Sequence, residues 1–84
     1  MRVLLVGADR LGNIPKKLEQ EGFEEIIHWT GRNKSFRNKN VPKNIKRVIV
    51  FYNYINHGTM NSVKRQAKAS GIPIIYGKLS QNSL

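Results

Sequence analysis

The chain has 84 residues, no cysteine and a formal net charge of +10. That length makes one domain with a modest core, and the lack of cysteine excludes a disulfide framework and a thiolate metal site. No apolar run reaches the ~18 residues that span a bilayer, and the apolar start Val3 to Val6 is too short for a signal-peptide core, so a cytoplasmic protein with no membrane partner is expected. All five acids, Asp9, Glu19, Glu21, Glu24 and Glu25, lie in the first 25 residues, which sum to −1. From Ile26 onward there are eleven Lys or Arg and no acid, a sum of +11. A region this positive points to an anionic ligand or partner. The plainer alternative is a basic surface that keeps a small protein soluble.

Val3 to Val6 is a continuous apolar run that ends at Gly7, the pattern of a strand buried on both faces. About Leu11 to Glu21 reads as a helix, with Leu11, Ile14 and Leu18 on one face. Pro15 belongs in a first turn, which puts the start near Asn13, and Gly22 is a natural stop. Glu25 to Trp29 reads as a second strand. A polar, basic crossover of about 31–47 follows, with seven Lys or Arg between Arg32 and Arg47. Arg47 to Tyr52 is the third strand. His57 to Ala69 is a second helix with Met60, Val63 and Ala67 on one face, and Gly71-Ile72-Pro73 ends it. Ile72 to Tyr76 is the fourth strand, with Pro73 at its start where a missing N–H is tolerated. Residues 78–84 form a polar tail.

Strands that alternate with helices imply parallel pairing and crossover connections. The expected architecture is an α/β, small Rossmann-like domain over 1–84, half of a doubly wound fold. Its four-stranded parallel sheet should have the order 2-1-3-4. Exposed edges on so small a unit favour a homodimer or higher homo-oligomer, which could also complete a shallow pocket.

Ligands of open parallel sheets bind beyond the carboxyl ends of the strands. The unusual residues of this chain collect there: Asp9, Arg10 and Gly12 after the first strand, and His28, Gly31, Arg32, Lys34 and Arg37 at and after the second. Asn53, Asn56, His57 and Gly58 follow the third, and Lys78 the fourth. Gly7 to Gly12 has the spacing G-x-x-x-x-G without the Lys-Ser/Thr of a P-loop, and it fails as a dinucleotide fingerprint. Two readings of it remain: a turn that presents backbone N–H groups to an anion at a helix start, or a glycine turn in which Asp9 caps the helix. Asn56 is a ready cap for the second helix.

Two histidines with one nearby carboxylate make a poor zinc site, whereas axial ligation of a haem needs only one histidine. Catalysis lacks paired carboxylates and a nucleophile with a base. The basic segment, with Phe36, could close over a phosphorylated small molecule. It could also grip nucleic acid, with Phe36, Tyr52 or Tyr54 stacking on bases. Clustering at the strand ends slightly favours the small ligand, and a stripe continuing along Lys64, Arg65 and Lys68 would favour nucleic acid. The leading expectation is non-enzymatic binding, by sensing or sequestration, of a nucleotide or other phosphate-bearing molecule. The alternatives are nucleic-acid binding, or haem binding through His28 or His57.

Gly7-x-Asp9-Arg10-Leu11-Gly12, His28-x-x-Gly31-Arg32, Asn53-Tyr54-Ile55-Asn56-His57, Val63-Lys64 and Gly71-Ile72-Pro73-Ile74-Ile75 occur in that order. In order and spacing they resemble the small bacterial family called domain of unknown function 2325, over nearly the whole chain. The resemblance implies a compact Rossmann-like domain and brings no established activity. Haem binding in some relatives would make His28 and His57 the positions to test.

Overall fold

The computed structural model describes residues 1–30 and 38–78. Strand β1 (Arg2–Val6) leads through a short loop to helix α1 (Ile14–Gln20), and β2 (Glu25–Trp29) follows. Strand β3 (Ile45–Phe51) runs into a 3-10 turn at Tyr52–Tyr54, then α2 (His57–Ser70) and β4 (Ile74–Gly77). The four strands form one parallel sheet in the order β2-β1-β3-β4. The fold is thus the small Rossmann-like α/β domain that the alternation of strands and helices implies.

The continuous apolar strand is continuous because the sheet is covered on both faces. Val3, Leu4, Leu5 and Val6 are all fully buried, and their side chains alternate between two cores. Leu4 and Val6 join Trp29, Val48 and Val50 beneath Val63 and Ala67 of α2. Val3 and Leu5 join Phe23 and Phe51 around Leu18 of α1. Each fully buried Val or Leu contributes roughly 1.5–3 kcal/mol, so the central strand carries a large share of the stability.

Both helices end as their glycines indicate. Past α1, the Gly22 N–H donates to the Glu19 carbonyl and the Phe23 N–H to the Leu18 carbonyl, both at 3.0 Å. Past α2, Gly71 and Ile72 make the same pair of bonds to Lys68 and Ala67. This closing motif needs a left-handed residue, and Gly71 takes φ +69° with nothing within 4 Å of an added Cβ.

The edges of the expected elements shift by one or two residues. Strand β3 begins at Ile45, because that buried side chain pairs with Arg2 across a local irregularity in register. It ends at Phe51, where the chain tightens into the 3-10 turn. Strand β4 begins at Ile74, since the Ile72 N–H is already committed to closing α2 and Pro73 has none. The basic crossover is shorter than about 31–47: its last three residues are strand, and Lys39 and Val41 dock on α2. There Gln66 accepts from the Val41 N–H at 2.7 Å and donates to the Lys39 carbonyl at 3.0 Å. Residues 31–37 and all of the polar tail beyond Lys78 lie outside the described residues.

Candidate functional site at the carboxyl ends of the strands

All four strands run the same way, so their carboxyl ends share one edge of the sheet. The chain leaves β1 towards α1 on one face and β3 towards α2 on the other, which makes the boundary of β1 and β3 the switch point. The two loops meet there. The Ala8 N–H donates to the Tyr54 carbonyl, and the Gly7 N–H to the Trp29 carbonyl, both at 2.8 Å. Gly7 has φ +102°, and a Cβ added to it would lie 2.8 Å from the Phe51 carbonyl oxygen. Only glycine lets the β1 loop lie this close to the end of β3.

His28 fixes the same loop from the side. Its Nε2 lies 3.0 Å from both the Gly7 and the Ala8 carbonyl oxygens. Carbonyl oxygens only accept, so Nε2 carries the proton and shares it between them. The ring is a half-buried brace. In register it stands opposite Leu5, on the α1 side of the sheet, one residue before β2 ends. That is the level at which the β1 loop passes.

These bonds change two of the sequence expectations. The N–H groups of Gly7 and Ala8 point at protein carbonyls, so this part of the turn does not cradle an anion. The cap position of α1 is held by Asn13, not by Asp9, and the Asn13 side chain makes no capping bond. Asn56 does cap α2: its Oδ1 accepts from the Thr59 N–H at 2.8 Å. Of the two histidines, His28 has its Nε2 taken up by two carbonyls, whereas the His57 side chain is exposed. Among the described residues, no three His, Cys, Asp or Glu side chains are placed to hold a metal ion.

Around this braced centre the edge is polar and open. Asp9, Arg10 and Gly12 are exposed in the β1 loop, and Asn53 and His57 are exposed after β3. Gly58 and Asn56 are half-buried at the start of α2, and Lys78 is exposed just past β4. Tyr52 and Tyr54 flank Asn53 with 51% and 38% of their surface exposed, an aromatic pair beside the switch point. Gly31, Arg32, Lys34 and Arg37 lie outside the described residues. The part that sequence reasoning missed is the inner layer. Gly7 and His28 shape the edge from within, and a glycine directly after a buried strand was the one signal for it.

The opposite end of the sheet offers different chemistry. An open groove of about 400 Å³ lies between the start of β3 and the end of α2, and Lys43 is the one charged residue in its lining. No helix among the described residues is long and apolar enough to cross a membrane.

Neither a curated protein nor a solved structure matches the sequence. The family model described as an uncharacterized protein conserved in bacteria (DUF2325) matches residues 2–84. A match over that span, on a parallel sheet of order β2-β1-β3-β4 with the braced β1 loop at its switch point, places this chain in the bacterial family of domain of unknown function 2325.

Proposed function

We propose that this domain binds a nucleotide or other phosphate-bearing small molecule at the carboxyl edge of the sheet, without catalysing a reaction. The observation that carries this reading is the rigid centre of that edge. Two backbone hydrogen bonds and the two contacts of His28 Nε2 hold the β1 loop in place, and Asp9, Arg10, Asn53, Tyr54 and His57 are exposed around it. A pre-formed loop loses little entropy when a ligand docks, which is how a small site reaches useful affinity. Arg10 and Lys78 supply positive charge for a phosphate, and Tyr52 and Tyr54 supply flat faces for a base.

Trp29 is the single tryptophan, and it is buried at the end of β2, beside Gly7. Its fluorescence therefore reports on this edge. Titration with nucleoside mono-, di- and triphosphates and with inorganic phosphate should give saturable binding to at least one of them. Arg10→Ala and Tyr54→Ala should each weaken it about tenfold or more, with the circular dichroism spectrum unchanged. No saturation below about 1 mM with any of these probes, a binding free energy near −4 kcal/mol, would overturn the reading.

One observation favours nucleic acid as a second reading. Lys64, Arg65 and Lys68 are all exposed on α2, away from the β1 loop, and Lys39, Lys43 and Lys46 are exposed on the crossover and β3. Affinity for single-stranded nucleic acid that falls steeply with salt, and that drops on Lys64→Ala and Lys68→Ala but not on Arg10→Ala, would favour it.

A further inference from the structure

The outer strand β4 is the unusual edge of this sheet. From Ala69 to Gly77 there is no charged residue, in a chain of net charge +10. Natural edge strands are normally blunted by charge, proline or cover. The other edge strand, β2, carries exposed Glu25 and the bracing His28, while Trp29 at its end lies under the Lys39 ammonium at 5.5 Å. Strand β4 carries Ile75 and Tyr76, 45% and 47% exposed, on opposite faces of the sheet. On the α1 side, the single seven-residue helix packs over Val3, Leu5 and Phe23. Ile49 and its register partner Ile75 lie at the far side of that face, half-buried and exposed respectively.

The backbone of β4 is arranged to match itself. The Val48 N–H donates to the Pro73 carbonyl at 3.0 Å, and Val48 pairs with Ile74. In a parallel ladder this phase turns the N–H and C=O of Ile75 towards β3 and those of Ile74 and Tyr76 outward. Two antiparallel copies of β4, with the two-fold axis through Ile75, would bring Ile74 of each copy opposite Tyr76 of the other. Each of those two pairs exchanges two hydrogen bonds, and the two Ile75 side chains meet across the axis. On the other face Tyr76 packs on the partner's Ile74, an aromatic against a β-branched side chain.

Neighbouring registers fit less well. An axis through Ile74 would need the Ile72 N–H, which is held by the Ala67 carbonyl at 2.9 Å. An axis through Tyr76 would set Ile75 against the partner's Gly77. With the axis at Ile75, Lys78 of each copy faces the partner's Ile72. The two Lys78 residues then stand roughly 20 Å apart, beyond the ~8 Å screening length at physiological salt.

We propose that a second copy of this chain docks on β4, and that the dimer is one continuous eight-stranded sheet with its dyad at Ile75. The carboxyl edges of the two copies then point in opposite directions. Each copy keeps its own candidate ligand site, and the partner does not complete it. Ligand binding and dimerisation therefore stand or fall separately.

The chain has no cysteine, so Ile75→Cys introduces a single thiol. Under mild oxidation it should link two chains nearly quantitatively, whereas Lys64→Cys on α2 should link few. Sedimentation velocity of the unmodified protein should show a reversible dimer. Tyr76→Pro removes an outward N–H and leaves the bonds to β3 intact, so it should fold normally and weaken the dimer at least about tenfold. A protein that stays monomeric at ~100 μM, within the range where weak specific pairs associate, overturns the proposal. This would also be the result if β4 accepts a strand from a different protein. Cross-linking no better at position 75 than at position 64 overturns it equally, and that comparison stands even if Tyr76→Pro fails to fold.

Discussion

At Gly7 one missing methyl group decides how the candidate site is built. The residue has φ +102°, and an added Cβ would press on the Phe51 carbonyl oxygen at 2.8 Å. Gly7→Ala should therefore cost about 2 kcal/mol, from a strained backbone and a contact with rigid main chain, which chemical denaturation measures directly. An unchanged midpoint would mean that the β1 loop has room to retreat from β3. His28 illustrates the opposite relation of residue to site. A histidine at a strand end looks like a ligand-contacting group, yet its Nε2 donates to the Gly7 and Ala8 carbonyls. Through that nitrogen the ring acts on the edge by way of the loop it holds.

Between elements, the contact of β3 with the end of α1 separates packing from charge. The Arg47 guanidinium lies 4.9 Å from the centre of the Phe23 ring and 3.5 Å from the Glu21 carboxylate. The ion pair is open to water and screened, and exposed pairs of this kind are worth about 0–1 kcal/mol at most. The stem of Arg47 and its cation over the ring also cover buried Phe23. Arg47→Ala should thus lower stability by about 1 kcal/mol. Glu21→Ala should cost under about 0.5 kcal/mol. Equal losses in the two variants would show the ion pair to be the main contact. The same scale explains why β4 begins two residues after the start of its apolar run. Which amide is free to enter the sheet depends on what the preceding helix has already taken, as the Ile72 N–H shows.

Over the whole molecule, charge is the influence that contacts leave unbalanced. The ion pairs between described residues, Met1 with Glu24, Arg2 with Glu25 and Arg47 with Glu21, all use the acids of the chain's first 25 residues. The basic remainder repels itself, and salt screens that repulsion. The melting temperature should therefore rise as sodium chloride increases from low to physiological concentration, measured by circular dichroism. A falling melting temperature would mean that the surface ion pairs outweigh the repulsion. Screening also favours the β4 dimer, because the paired strip is uncharged while the chains around it are not.

The sequence alone was sufficient for the order of the elements, the parallel pairing, the central position of β1 and the cap at Asn56. Apolar periodicity and turn residues are local signals, and a continuous apolar strand is compatible with few arrangements. Among the described residues it also sufficed to place polar and basic groups at one edge of the sheet, since chain direction fixes where strand ends fall. The tertiary structure alone decided which of those residues face outward. Gly7 and His28 turn inward because parallel register sets His28 opposite Leu5, at the height of the loop that follows β1. The outward phase of the β4 backbone was likewise beyond the sequence. It follows from a single hydrogen bond, Val48 to Pro73, and a ladder bond between residues 25 positions apart has no local signature.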